Sequence, residues 1–124
     1  MSYGATGKSA LVVTSGVFQH CLIMRLEGEL DVDAVPLLRE HLRRVWQEPA
    51  TPFMIMDLRE VAFCDSVGMS ELVTVLQRCE KRGTRLLLGG VQGVVSRVLS
   101  ITGLRNAFDV YDDFDDAVRH ALTA

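Results

Sequence analysis

The residues with the most chemical potential sit together at Cys64-Asp-Ser-Val-Gly68. This short polar stretch follows an apolar run, Phe53 to Leu58, and precedes an amphipathic segment that extends to about Arg82. A strand, a turn and a helix start are expected there. A hydroxyl at the N-terminus of a helix can be a cap, a nucleophile or a group that another protein modifies. Asp65 or Ser66 could cap by accepting backbone N–H bonds. A nucleophile elbow needs G-x-S-x-G, and Cys64-Asp-Ser-Val-Gly68 lacks the first glycine. A hydrolase also needs a histidine base. His41 is expected on the outer face of a helix and His120 near the end of one, and with His20 they read as solvated surface histidines. With no evident base or metal, Ser66 reads as acted upon rather than acting, and taken alone the turn is most simply a helix cap.

The other motifs carry less. Cys79-x5-Arg85 has the spacing of a phosphatase loop, but Cys79 falls at the end of a helix and Arg85 at the start of a strand. That is the reverse of the strand, phosphate-cradling loop and helix N-terminus which the chemistry needs. Gly89, Gly90 and Gly93 make too weak a pattern for a dinucleotide fingerprint, and no P-loop is present. Cysteines and histidines never approach metal-ligand spacing, so neither metal nor cofactor is expected.

Composition narrows the class. With 48% hydrophobic and 23% charged residues, the 124-residue chain suits one globular core. Its net charge of −3 provides no basic stripe for nucleic acid. No apolar run approaches the ~20 residues that cross a bilayer, and the first ten residues lack the pattern of a signal peptide. A cytoplasmic location is expected. The odd number of cysteines, Cys21, Cys64 and Cys79, suits reduced thiols.

The elements that position Ser66 follow from periodicity. Residues 1–9 are small and polar, an expected flexible N-terminus ahead of a single domain over 10–124. Leu11–Thr14 reads as a strand, Ser15-Gly16 as a turn, and Phe18–Leu26 as a second strand in an antiparallel hairpin. Gly28 is expected to bend the chain. Asp31 or Asp33 caps a helix with Pro36 in its first turn and Val35, Leu38, Leu42 and Val45 at helical spacing. Phe53–Leu58 is the buried strand. The helix after Ser66 turns Met69, Leu72, Val73, Leu76 and Cys79 inward and Glu71, Gln77, Arg78, Glu80 and Lys81 outward, and Gly83 ends it. Leu86–Leu88 is a strand. Val91–Thr102 is a helix with Val94, Val98 and Ile101 inward, closed by Gly103. Ala107–Tyr111 is a short edge strand, and Asp112 caps a last helix, 113–122. The order β-β-α-β-α-β-α-β-α predicts an α/β fold with a mixed sheet, because βαβ crossovers make the later strands parallel.

Four landmarks, in order, resemble those of the STAS-domain family and its stand-alone bacterial anti-sigma factor antagonists. They are Gly28-Glu-Leu-Asp31, Met56-Asp-Leu-Arg-Glu-Val-Ala-Phe-Cys-Asp-Ser-Val-Gly68, Lys81-Arg-Gly-Thr-Arg-Leu86 and Leu99-Ser-Ile-Thr-Gly-Leu104. The resemblance implies a STAS fold with helices packed mainly on one side, and no enzymatic activity. It places the family's phosphorylated serine on Ser66, beside Asp65. Val67 stands where many members have serine or threonine, and Met69 where leucine is usual. The implied partners are an anti-sigma factor with GHKL-type serine kinase activity and a PP2C-type phosphatase, with a sigma factor released indirectly. The docking surface is expected to include Asp31, Asp33, Asp65, Ser66, Val67, Gly68 and Met69, and phosphorylation to expel the partner. Alternatives are a stressosome-like or transporter-associated scaffold, or a small hydrolase using Ser66.

Overall fold

The longest apolar run becomes the middle of a sheet. The computed structural model describes residues 10–124, so the expected flexible N-terminus lies outside the described residues. Strands β1 (Leu11–Phe18) and β2 (Cys21–Leu30) form an antiparallel hairpin, with Phe18 paired to Cys21. Strand β3 (Phe53–Cys64) lies parallel to β2. It is followed by α2 (Ser66–Arg82), β4 (Arg85–Gly89), α3 (Gly93–Thr102), β5 (Asp109–Tyr111) and α4 (Phe114–Thr123). Helix α1 (Val35–Gln47) connects β2 to β3. Among the described residues the sheet has the order β1-β2-β3-β4-β5, mixed as expected, because β2 to β5 are parallel.

Alternation along the strands divides the core into two layers. Met24, Met56 and Leu88 face the larger one with Leu38 of α1, Leu72 of α2 and Leu99 of α3. Cys21, Ile55 and Leu87 face the smaller one with Ala117 and Ala121 of α4. Three helices thus cover one face and α4 covers the other. Both faces are covered over residues 53–58 of β3 and over β4, which explains the mostly apolar sequence there.

Several expectations change. Ser15-Gly16 is no turn: both residues lie within β1, and the hairpin turns at Gln19-His20, where Gln19 has φ 55°. Strand β2 runs through Gly28 to Leu30, with a register shift rather than a break. Helix α3 begins at Gly93, so Val95 and Leu99 face inward while Ile101 is 78% exposed. Asp113, not Asp112, caps α4, accepting from the Asp115 N–H at 2.7 Å. Residues 104–107 form a 3-10 turn before β5. The helix ends follow the expected chemistry: Gly83 and Gly103 adopt left-handed conformations after α2 and α3, with φ 73° and 75°.

Candidate functional site

Parallel pairing of β2 and β3 builds the site. Leu30 and Cys64, the last residues of these strands, are directly paired, so Asp31 and Asp65 leave the sheet side by side. The backbone N–H of Asp65 donates to the Leu30 carbonyl at 3.2 Å. Asp31 caps the 3-10 turn Val32–Ala34, its Oδ1 accepting from the Ala34 N–H at 3.1 Å. Asp33 is exposed within that turn.

Asp65 decides between the two candidate caps. Its Oδ1 accepts from the Gly68 N–H at 2.8 Å, and its Oδ2 accepts from the Val32 N–H at 3.2 Å. One carboxylate therefore caps α2 and ties it to the turn after β2. Ser66 is left exposed at the first position of α2, and its hydroxyl has no hydrogen-bond partner among the described residues. Its carbonyl accepts from Ser70 Oγ at 2.9 Å, one turn along. No acidic residue occupies the first turn of α2, so the positive end of that helix is met by the capping carboxylate and by no acid that follows it.

The neighbours divide into two groups. Val67 is exposed, as are Val32 on the adjoining turn and Phe63 near the end of β3. Gly68 and Met69 are buried. A Cβ on Gly68 would lie 2.1 Å from the Leu30 carbonyl oxygen and 2.9 Å from its Cγ. Hydrogen alone fits there, and Met69 supports the helix start from beneath. Cys64, also buried, has its thiol pushed up to about 11 by burial and by the charge of Asp65.

Residues 10–117 match the STAS domain family. The chain belongs to that family. It is 30% identical over 87 residues to the anti-sigma-B factor antagonist of Bacillus subtilis (strain 168), over 70% of this chain and 78% of that one. An anti-sigma factor antagonist from Mycobacterium paratuberculosis has a similar structure, with a TM-score of 0.76 and 22% identity, covering 90% of this chain and 93% of that chain. A sulfate transporter family protein from Wolinella succinogenes is also similar, with a TM-score of 0.75 and 29% identity, covering 87% of this chain and 89% of that chain.

Around this core, the STAS chain shows features that periodicity missed. Glu71, expected on the outer face of α2, is buried. Arg39 of α1 covers it, with Nε 3.1 and 3.2 Å from its two oxygens. No local signal joins residues 32 positions apart. Val67, expected on the docking surface, is exposed, and the exposed Val32 beside it was not singled out from the sequence. The three histidines, all half-buried, also depart from expectation. His20 and His120 are half-buried against Phe53. His20 Nε2 lies 2.8 Å from the Ala121 carbonyl oxygen, and His41 Nε2 lies 2.8 Å from Ser15 Oγ. Among the described residues, no histidine is hydrogen-bonded to Ser66. Nor does any group of three or more His, Cys, Asp or Glu there have the arrangement to hold a metal ion. Cys79 is a buried core residue at the end of α2, and Arg85 is bound to Asp109, which removes the phosphatase-loop geometry. No helix among the described residues is long and apolar enough to cross a membrane.

Proposed function

We propose that this STAS chain is an anti-sigma factor antagonist whose Ser66 is phosphorylated by the anti-sigma factor it binds. The observation that carries this reading is the division of labour at the start of α2. Asp65 does the capping, and the adjacent Ser66 hydroxyl is exposed and uncommitted. The relatives named anti-sigma-B factor antagonist support the same reading.

In the unphosphorylated form, Ser66 and Val67 present a small neutral surface beside Val32, flanked by Asp31 and Asp33. A partner docks there, and the sigma factor it held is released. Phosphorylation adds about −1.5 to −2 charges. The α2 N-terminus accommodates that charge within the domain. A partner has no such relief, because the new charge lies next to Asp65 and beside Asp31. Repulsion and desolvation then weaken docking, by up to several kcal/mol for a like-charge contact. The kinase is of the GHKL type and the phosphate is removed by a PP2C-type phosphatase. The protein acts in the cytoplasm and catalyses no reaction itself.

The test is reconstitution with candidate anti-sigma factors, with and without ATP, followed by phosphosite mapping. Ser66→Ala is expected to bind its partner and to accept no phosphate. Equal phosphate incorporation into Ser66→Ala would remove the assignment. The likeness to a sulfate transporter family protein favours a second reading, a domain that docks on a membrane carrier. Stable capture of a transporter but of no anti-sigma factor would select it.

A further inference from the structure

Residues 39–47 of α1 and 71–81 of α2 line a groove of about 560 Å³, within the size range of ligand sites. It lies toward the C-terminal end of α2, away from Ser66. Its rim carries Arg39 and Arg43 from α1 and Arg78 and Lys81 from α2. The single carboxylate in its lining, Glu71, is buried beneath Arg39 and already paired. Glu40 pairs with Arg43 from outside the lining. Arg78 and Lys81 have no ion-pair partner among the described residues. A chain with a net charge of −3 thus concentrates cations along one groove.

Trp46 makes the groove more than a charged surface. It is half-buried, and the guanidinium carbons of Arg78 and Arg82 lie 5.4 and 5.3 Å from its ring centroid. Arg82 is held in place by donating to the carbonyls of Trp46 and Glu48, at 2.8 Å each. Leu42 and Val75, almost fully buried, line the same groove from below. An aromatic plane with arginines and aliphatic side chains is the composition of an interface centre, where Trp and Arg contribute most.

We infer that the α1–α2 groove binds an acidic polypeptide segment, whose carboxylates meet Arg43, Arg78 and Lys81 while an apolar side chain rests on Trp46. The inference goes beyond the role of Ser66 and does not depend on it. Charge complementarity selects the occupant, because two of the four rim cations, Arg78 and Lys81, have no matching anion among the described residues. The apolar floor distinguishes a peptide from a bare anion.

Trp46 is the only tryptophan of the chain and so reports on its own site. A short synthetic peptide of Glu and Asp with one central Leu is titrated into the full chain, followed by Trp46 emission and by calorimetry. Saturable binding that weakens as salt rises is expected. The double variant Arg78→Glu/Lys81→Glu should weaken it at least about tenfold, and Arg43→Glu, which leaves Trp46 untouched, should also weaken it. Ser66→Ala should leave it unchanged. Absence of saturable binding would overturn the proposal. So would unchanged affinity in Arg43→Glu, or an equal response to inorganic phosphate at matched ionic strength.

Discussion

Helices α2 and α4 start in the same way and serve different ends. Each begins with an aspartate that accepts a backbone N–H of the first turn, Asp65 from Gly68 and Asp113 from Asp115. Helix α4 then places Asp115 and Asp116 in its first turn, so its positive end is met by its own acids. Helix α2 has Ser66, Val67, Gly68 and Met69 there instead. The same cap produces a finished helix end in one case and leaves room for an arriving negative charge in the other. Their supports differ as well. The start of α2 is pressed against the end of β2 through Gly68 and tied to Val32 through Asp65. The start of α4 rests on Arg59, whose guanidinium carbon lies 4.2 Å from the Phe114 ring centroid.

The largest expected effect tests the close approach. Gly68→Ala forces a methyl against the Leu30 carbonyl and should destabilise the fold by about 3 kcal/mol in urea unfolding. Gly16→Ala, where a Cβ meets nothing within 4 Å, is the control and should change little. If the two behave alike, α2 is not locked to β2. The caps come next. Asp65→Ala removes two acceptors and should cost about 2 kcal/mol, while Asp113→Ala removes one and should cost about 1 kcal/mol. Equal losses would erase the distinction between a cap that braces two elements and one that serves its own helix.

A smaller effect depends on pH. Burial raises the affinity of the Asp57 carboxyl for its proton, but hydrogen bonds and charge from Arg59, with Arg25 behind, outweigh it and hold the group below the usual carboxylate range. Arg59 donates Nε to Oδ1 at 3.0 Å and Nη2 to Oδ2 at 2.8 Å. Because the folded value is depressed, this stabilisation is complete above the unfolded value of about 4. It is lost as pH falls through the folded value. Wild type should therefore lose more stability than Asp57→Asn on acidification, read by thermal unfolding across that range. The smallest effect is Ser66→Asp, expected to alter stability by no more than about 0.5 kcal/mol, because the α2 N-terminus favours the charge. A large destabilisation would mean that this end has no room for an anion.

How far sequence could reach is visible in particular residues. Gly83 and Gly103 marked their helix ends because a left-handed terminus is a local requirement. The strand–turn–helix around Ser66 was legible because apolar run, polar turn and amphipathic helix adjoin in sequence. Ser15-Gly16 misled because a hairpin can turn without glycine, and here Gln19 takes the positive φ. The face of α3 was assigned only in part: Val94 and Val98 pack against the core as expected, but Val91, buried in the preceding loop, was counted as its start, and Ile101 is exposed while Val95 and Leu99 form the buried centre. Glu71 looked solvated because its partner lies on another helix. Asp65 could not be separated from Ser66 as the cap until the pairing of Leu30 with Cys64 brought Val32 to its second oxygen.

The buried cysteines offer a different kind of readout. Cys21 belongs to the α4 layer, while Cys64 and Cys79 belong to the layer beneath α1 to α3. Burial keeps Cys64 and Cys79 as thiols, with values pushed up to about 11, and raises Cys21 as well. A thiol reagent therefore reacts with each sulfur only when its own layer opens. The order of labelling in dilute denaturant, resolved by mass, becomes a map of which side of the sheet breathes first, with Cys64 as the sentinel beside Ser66.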